Sequence, residues 1–369
     1  MRGVAEDGAP SGRSPQARPS DATLKVLIAS FIEPELVEHI RQVDPRLEVL
    51  YEPELLRPPR YAADHKGGPM ERTPEQEARW RELLGEADVL FDFDQTHLDD
   101  LPELAPKVRW IQSTSSGIGP FVQRMGYAHR MPVTVFTRAS GVHAQPLAEF
   151  CVMVMLMFRK GLHRVMRDQE RRHWERYAGT DLEGKTLVVV GLGGVGREVA
   201  RVAKAFRMRV IGVDRPGYLF EPDTLPLDEF RPSGELHSVL GQAEHLVLIA
   251  PHTPETEGMI GARELALLPR GAVFINIARG ALVDEEALVE ALRSGHLAGA
   301  GLDVFAEEPL PLDSPFWEMP NVLVSPHSAS TSDGENRRLT DLFCENLRRF
   351  LRGDPLINVL DVEELGPRT

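Results

Sequence analysis

The stretch Thr186-Leu-Val-Val-Val-Gly191-Leu-Gly193-Gly-Val-Gly196 decides the fold of this chain. A strand-like apolar run leads directly into glycines spaced G-x-G-x-x-G, and a helical pattern follows over residues 197–206. Between a strand and a helix, such glycines permit a tight turn, close approach of a pyrophosphate and close helix packing. We therefore predict a dinucleotide site at the helix N-terminus, formed by Gly191, Gly193, Gly194, Val195 and Gly196.

An acidic residue follows the next predicted strand, residues 209–213. Asp214 lies roughly 20 residues beyond the glycines, the spacing expected of the carboxylate that binds the adenosine ribose hydroxyls. Its charge would repel a 2′-phosphate, which favours NAD over NADP as the cofactor. Arg215 comes next and is the kind of residue that accommodates a 2′-phosphate, so the sequence leaves NADP open.

Strands and helices alternate on both sides of this motif. β-Branched runs recur between amphipathic ones, and such alternation favours parallel sheets with helices on both faces. The fold class that we predict is α/β, with two doubly wound parallel-sheet domains. The predicted strands are residues 25–29, 47–51, 88–93, 108–112, 185–190, 209–213, 245–250, 272–277, 299–304 and 321–325.

Three chemically active side chains, Arg279, Glu308 and His327, each follow a different one of the last three predicted strands. Ligands of open α/β sheets bind outside the carboxyl ends of the strands, so these side chains can converge on a nicotinamide. Glu307 is the neighbouring candidate for the acidic position. An Arg, a carboxylate and a His at such a place fit the reversible reduction of a 2-keto acid.

Each of the three would have its own task in that reaction. His327 is the natural proton donor to the carbonyl oxygen, because an imidazole titrates closest to neutral pH. Glu308 would hydrogen-bond the other ring nitrogen and so fix the tautomer. Arg279 would clamp the substrate carboxylate and concentrate positive charge where negative charge develops.

Composition limits the partners and the compartment. The formal charge is −14, so no electrostatic footprint for nucleic acid is expected. The longest apolar stretch, residues 150–158, is far shorter than the roughly 20 residues of a bilayer span, so no membrane contact is expected either. Cys151 and Cys344 are too few for a disulfide framework and lack metal-ligand spacing, which predicts a cytoplasmic protein without a metal site.

Two segments are predicted to be accessory. Residues 1–22 are rich in Gly, Pro, Ser and Arg and are interpreted as a disordered tail. Residues 53–74 carry Pro58-Pro59 and Gly67-Gly68-Pro69 and are interpreted as a surface loop that matters little for chemistry.

Long parts of the chain resemble the D-isomer-specific 2-hydroxyacid dehydrogenase family. Besides the glycine motif, the matching stretches are Val108-Arg-Trp-Ile-Gln-Ser-Thr-Ser-Ser-Gly117, Leu268-Pro-Arg-Gly-Ala-Val-Phe-Ile-Asn-Ile-Ala-Arg-Gly-Ala-Leu-Val-Asp284, Gly301-Leu-Asp-Val-Phe-Ala-Glu-Glu-Pro309 and Ser325-Pro-His327. The resemblance implies a catalytic set of Arg279, Glu308 and His327, with Glu308 preferred over Glu307 because it directly precedes Pro309. It implies further that backbone N–H groups of Ser115, Ser116 and Gly117 bind the substrate carboxylate, and that Ala278 and Asp303 lie near the nicotinamide carboxamide.

The same resemblance implies a domain plan and an assembly. A Rossmann-type cofactor domain, residues 141–327, would be inserted into a flavodoxin-like substrate domain formed by residues 23–140 and 328–361. The family is typically homodimeric through the cofactor domain, and residues 161–176 are the expected contribution to that contact.

Two functions of different class follow from these observations. The first is an NAD-dependent D-2-hydroxyacid dehydrogenase that acts on small acids such as glyoxylate or hydroxypyruvate. The alternative is an NAD(H)-sensing, corepressor-like binding protein on the same fold, because a branch of the superfamily keeps the same three residues. Turnover of a 2-keto acid would separate the two.

Overall fold

The computed structural model describes residues 22–217 and 225–362, so the predicted tail lies almost wholly outside the described residues. The chain divides into two compact units. The second unit is the continuous segment His143–Ser330, and the first is formed by the chain on both sides of it.

The first unit contains a parallel sheet in the strand order β2-β1-β3-β4-β5. This is the flavodoxin-like order 2-1-3-4-5. Its elements up to the second unit are β1 (Leu24–Ile28), α1 (Pro34–Arg41), β2 (Leu47–Leu50), α2 (Pro74–Glu86), β3 (Val89–Phe91), α3 (Leu101–Leu104), β4 (Trp110–Gln112), α4 (Gly119–Met125), α5 (Tyr127–Arg130) and β5 (Val135–Thr137).

The second unit contains a parallel sheet in the strand order β12-β11-β10-β9-β6-β7-β8. Counted from β6, the order is that of a Rossmann fold, 3-2-1-4-5-6, with one further edge strand. Its elements are α6 (Ala144–Arg159), α7 (Leu162–Glu170), β6 (Thr186–Val190), α8 (Gly194–Ala205), β7 (Arg209–Asp214), β8 (Glu229–Pro232), α9 (Leu236–Leu240), β9 (His245–Leu248), α10 (Ala262–Leu267), β10 (Ala272–Asn276), α11 (Glu285–Arg293), β11 (Leu297–Leu302) and β12 (Val322–Val324).

The chain then returns to the first unit as α12 (Glu335–Arg352). The apolar face of α12 packs on that unit's sheet, where Phe343 stacks on Trp110 with ring centroids 5.0 Å apart and meets Phe91 edge-on. The predicted fold class, two doubly wound parallel α/β sheets, is confirmed. No helix in the two described ranges is long and apolar enough to cross a membrane.

Residues 53–74 form an ordered excursion between β2 and α2. It begins with a short 3-10 helix, Pro53–Leu55, and ends at Thr73, which caps α2 in a reciprocal arrangement with Gln76. In its centre Asp64 is buried and accepts hydrogen bonds from the backbone N–H groups of Arg60 and Gly67 and from the Arg60 guanidinium. The guanidinium of Arg60 lowers the pKa of Asp64 to about 2.

Candidate active site

The glycine motif occupies the turn between β6 and α8 in the second unit. All five residues of β6 are buried, as expected of a central parallel strand. Gly191 has φ +102°, and a Cβ on Gly196 would lie 1.9 Å from the Gly191 carbonyl oxygen. Only glycine fits at either position, because Gly191 has a left-handed backbone and Gly196 lets the helix pack closely against the turn.

The turn lies at the switch point of the sheet, since β6 is bordered by β7 on one side and β9 on the other. Around Gly193 a Cβ would meet nothing within 4 Å, so space remains above the N-terminus of α8. The backbone N–H groups and helix dipole at that end suit a pyrophosphate. The residues present therefore fit a dinucleotide.

Asp214 ends β7 beside this turn. Its Oδ2 accepts a hydrogen bond from the backbone N–H of Leu192 at 2.5 Å, and its Oδ1 accepts one from the N–H of Arg215 at 2.7 Å. A carboxylate oxygen can accept a second hydrogen bond, so Asp214 keeps acceptor capacity for ribose hydroxyls. The side chain of Arg215 is exposed, and the chain directly beyond Gly217 lies outside the described residues.

Sequence reasoning missed a second loop at this edge of the sheet. Residues 251–256 follow β9, the neighbour of β6, and the Thr256 hydroxyl donates to the Pro251 carbonyl oxygen at 2.7 Å. The same hydroxyl accepts from the N–H of Thr253 at 2.8 Å. The pattern Thr253-Pro-Glu-Thr256, directly after a buried strand, could have predicted this hydrogen-bonded turn from the sequence.

Glu308 and His327 form the central pair of the site. The Nδ1 atom of His327 lies 2.8 Å from Glu308 Oε2, while Glu308 Oε1 accepts the N–H of Phe305 at 3.0 Å. Glu307, the other candidate, is exposed and has no such contact in the described residues. Because the carboxylate occupies Nδ1, the second ring nitrogen, Nε2, is the one left for a ligand.

Hydrogen bonds to Asp303 fix the turn that carries His327. His327 has φ +53°, a left-handed conformation that a non-glycine residue adopts only when its surroundings enforce it. The buried Oδ1 of Asp303 accepts from Ser325 Oγ at 2.5 Å and from the N–H groups of Ser328 and Ala329 at 2.8 and 2.9 Å. Burial raises the pKa of the Asp303 carboxyl. Its predicted place near the nicotinamide stays a prediction, whereas its contacts show that it fixes the turn.

Arg279 follows β10 and faces solvent at the same end of the sheet. Asn276, which sequence reasoning missed, braces its backbone: Oδ1 accepts from the Ala278 N–H at 3.0 Å and Nδ2 donates to the Arg279 carbonyl at 3.1 Å. The Arg279 guanidinium donates to the Ala278 carbonyl at 2.6 Å. A Cβ on Gly280 would lie 1.9 Å from the carbonyl carbon of Phe305, so the turn touches the loop of Glu308.

A second missed residue supports that loop. Glu285, at the start of α11, accepts the N–H of Ala306 on Oε1 at 2.8 Å. Burial raises the pKa of this carboxyl. The loop from Phe305 to Glu308 is thus attached to α11 as well as to the His327 turn.

The predicted carboxylate-binding loop, Ser115 to Gly117, lies in the first unit directly after β4. Buried Asp92 holds its base through the N–H and hydroxyl of Thr114, at 3.3 and 3.0 Å. The N–H of Ser115 donates to Ser113 Oγ at 3.0 Å, so it is already used. Within the described ranges, the N–H groups of Ser116 and Gly117 make no hydrogen bond and suit an anion.

Metal ligands do not cluster in the described part of the chain, where no group of three His, Cys, Asp or Glu side chains could hold an ion.

The fold and the site together define a dinucleotide-binding α/β protein with a strand-terminal Arg, Glu and His set, and comparison with known proteins gives the family. Residues 152–329 match the model of the "D-isomer specific 2-hydroxyacid dehydrogenase, NAD binding domain". A glyoxylate reductase of Korarchaeum cryptofilum is 33% identical over 275 residues, which cover 72% of this chain and 80% of that protein. The chain belongs to the D-isomer-specific 2-hydroxyacid dehydrogenase family.

Other relatives differ in length, and one solved relative is a complex with NADPH. The D-3-phosphoglycerate dehydrogenase of Methanocaldococcus jannaschii is 31% identical over 77% of this chain, but the match spans only about half, 53%, of that protein. A crystal structure of a D-isomer specific 2-hydroxyacid dehydrogenase from Xanthobacter autotrophicus Py2, in complex with NADPH and MES, has a TM-score of 0.69 and 30% identity. It covers 92% of this chain and 100% of its own.

Proposed function

We propose that this protein is an NAD(H)-dependent oxidoreductase that interconverts a small 2-keto acid and its D-2-hydroxy acid. The observation that carries the proposal is the Glu308–His327 pair at 2.8 Å, held beside the Arg279 turn at the edge of a sheet that also carries the dinucleotide motif. Glyoxylate and hydroxypyruvate are the first substrates to test, in keeping with the glyoxylate reductase among the relatives. The alternative, a corepressor-like sensor, is not favoured by these relatives.

In this proposal each residue acts at a defined atom. A nicotinamide held at this site would contribute hydride chemistry at the carbonyl carbon. The guanidinium of Arg279 holds the substrate carboxylate and polarises the carbonyl oxygen. His327 delivers a proton from Nε2 to that oxygen and is left as the neutral imidazole, and Glu308 stabilises the imidazolium through Nδ1.

We assign the substrate-binding part to residues 23–140 and 328–361 and the cofactor-binding part to residues 141–327. In the predicted loop of Ser115, Ser116 and Gly117, the N–H groups of Ser116 and Gly117 would bind the substrate carboxylate, whereas the N–H of Ser115 is taken by Ser113 Oγ. Ala278 and Asp303 would line the nicotinamide site. Asp214 favours NAD, because its carboxylate at the end of β7 would repel a 2′-phosphate on the adenosine ribose. Exposed Arg215 and the NADPH-bound relative keep NADP as the second cofactor to test.

The test is oxidation of NADH and of NADPH by the purified protein with a panel of 2-keto acids. His327→Ala should lose at least about 100-fold in kcat with cofactor affinity retained, since general acid catalysis contributes 10²- to 10⁴-fold. Glu308→Gln keeps a hydrogen-bond acceptor and serves as the milder variant. Cofactor binding without turnover of any acid, in wild type and variants alike, would contradict the proposal.

We further propose that the protein is a homodimer through residues 161–176. No residue of α7 is buried in the chain, and Leu162, Val165 and Met166 are exposed on it, with Trp174 95% exposed beyond its end. Apolar side chains concentrated in one segment are typical of an association surface. Sedimentation should give a dimer, and Met166→Asp should yield monomer.

The cytoplasm is the proposed compartment. Cys151 and Cys344 are both buried free thiols. A chain without disulfides suits a reducing environment. Fractionation of cells that produce the tagged protein tests this assignment.

A further inference from the structure

Glu285 connects the two segments of the second unit that carry Arg279 and Glu308. In the chain it shortly follows the Arg279 turn, as the first residue of α11. Its Oε1 accepts the backbone N–H of Ala306 at 2.8 Å, in the loop from Phe305 to Glu308. One side chain therefore joins the segment after β10 to the segment after β11.

The backbone that carries Glu285 is fixed independently of that loop. The N–H of Ile260 donates to the Leu282 carbonyl at 3.0 Å, and the N–H of Asp284 donates to the Ile260 carbonyl at the same distance. The Asp284 carboxylate caps α11 by accepting the N–H of Ala287 at 3.0 Å. Glu285 thus extends from a firmly bonded helix start and can hold the loop in place.

The Glu308–His327 pair needs support from its surroundings. The two side chains are 36% and 46% exposed. An ion pair with such exposure contributes little by itself, so it does not fix its own geometry. Asp303 fixes the turn of His327. The loop of Glu308 requires a support of its own.

Few contacts other than that with Glu285 hold this loop. The Phe305 side chain is buried, and its ring lies 5.9 Å from the ring of Phe316, which anchors the start of the loop. Inside the loop, the N–H of Phe305 donates to Glu308 Oε1. Among the described residues, Glu285 is the one acceptor outside the loop to which the backbone N–H groups of residues 305–308 donate.

The surroundings of the Glu285 carboxylate give it no other partner. The side chain is half-buried, and burial raises its pKa. In the described part of the chain no Lys or Arg forms an ion pair with it, so the N–H of Ala306 is the group that compensates its burial. The Phe305–Ala306 peptide that it binds also lies against Gly280 of the Arg279 turn.

We propose that Glu285 is a positioning residue that holds the Glu308 carboxylate against the His327 ring. The Glu285–Ala306 hydrogen bond fixes the loop, and the fixed loop keeps Glu308 Oε2 at 2.8 Å from His327 Nδ1. The neutral ring then keeps its proton on Nδ1 and presents Nε2 to the substrate. The inference rests on the proposed function and adds to it a residue that acts through Glu308.

Two substitutions at Glu285 test the hydrogen bond. Glu285→Ala removes the acceptor and should lower kcat for glyoxylate reduction by about 10-fold, with KM for glyoxylate and Kd for NADH unchanged. This is the lower end of the range for a hydrogen bond to a charged group, because Ala306 is exposed. Glu285→Gln removes the charge but keeps an acceptor oxygen, so its kcat should stay within about twofold of wild type.

The control variant is Glu286→Ala, which removes the adjacent, exposed carboxylate of α11 and should leave kcat unchanged. Wild-type kcat in Glu285→Ala would overturn the proposal. So would a loss in Glu285→Gln as large as that in Glu285→Ala, because the charge and not the hydrogen bond would then matter.

A double-mutant cycle separates positioning through Glu308 from a general loss of structure. In a Glu308→Ala background no carboxylate remains to be positioned, so Glu285→Ala should change kcat by less than about twofold. A further loss of about 10-fold in that background would overturn the proposal.

The His327 ring reports on the inference without turnover. If wild type reduces no acid, the proposed function fails, whereas nitrogen-15 NMR of this ring, assigned with His327→Ala, still decides the inference. The neutral ring should carry its proton on Nδ1 in wild type and in Glu285→Gln, and on either nitrogen in Glu285→Ala. The same tautomer in wild type and Glu285→Ala, or a wild-type proton on Nε2, would overturn it.

Discussion

Replacing His245 by glutamine should make the stability of the protein less sensitive to acid. His245 begins β9 and is fully buried, and its Nε2 accepts a hydrogen bond from Arg159 Nε at 3.0 Å. Lys185 and Glu244 lie beside it and pair with each other at 2.8 Å. Burial and the positive charges of Arg159 and Lys185 lower the pKa of His245 to about 3.

The sign and size of this change in unfolding free energy follow from proton linkage. Below about pH 6.5 the unfolded chain takes up a proton on this histidine, whereas the folded chain does not until the pH approaches 3. Acid therefore favours the unfolded state. Between pH 7.5 and pH 5.5, His245 alone should remove about 1.4 kcal/mol from the free energy of unfolding.

His245→Gln keeps an acceptor for Arg159 but cannot take up a proton. Urea unfolding at the two pH values, followed by tryptophan fluorescence and circular dichroism, should show a loss on acidification that is smaller by about 1.4 kcal/mol than in wild type. His129→Gln, at an exposed position, is the matched control for loss of an imidazole. An identical pH dependence in wild type and His245→Gln would refute the reasoning.

Three further changes test the site and its support. Gly280→Ala should lower kcat/KM by about 100-fold, because its Cβ would lie 1.9 Å from Phe305 and displace the Arg279 turn, and steady-state kinetics with unchanged cofactor affinity would check this. Asp64→Asn should lower the free energy of unfolding by about 2 kcal/mol at pH 7. Because the pKa of Asp64 is about 2 in the folded state and higher in the unfolded chain, the difference between variant and wild type should fall to about half near pH 3. A difference that does not depend on pH would contradict this prediction. Asp214→Ser should raise the NADPH to NADH ratio of kcat/KM about 10-fold by removing a like charge, and an unchanged ratio would mean that the carboxylate does not set cofactor choice.

Features of the fold and of the candidate site that depend on local sequence patterns could be predicted. Each of Arg279, Glu308 and His327 follows a strand, and parallel strands bring their carboxyl ends to one edge, so their common location in the second unit follows from chain order alone. The glycine turn was predictable for the same reason, because a strand, three glycines and a helix are contiguous.

Features that depend on side-chain direction or on closure in space were not predictable. Asn276 and Glu285 act through single hydrogen bonds to backbone groups that follow from rotamers, not spacing. Two strands were also missed, β5 (Val-Phe-Thr) and β8 (Glu-Phe-Arg-Pro), and β8 contains no β-branched residue. For residues 53–74, the proline and glycine content indicated a loop. It did not indicate that hydrogen bonds to buried Asp64 hold that loop together.

The return of α12 to the first unit has a consequence for synthesis of the chain on the ribosome. The segment His143–Ser330 is continuous and contains every strand of its own sheet, so it can fold as soon as it has emerged. The first unit emerges earlier, yet Trp110 and Phe91 stay exposed until Phe343 has been added far downstream. Part of one apolar face of its nascent sheet, the part that α1 does not cover, therefore stays exposed while the second unit is translated, and we expect chaperones to bind there during synthesis.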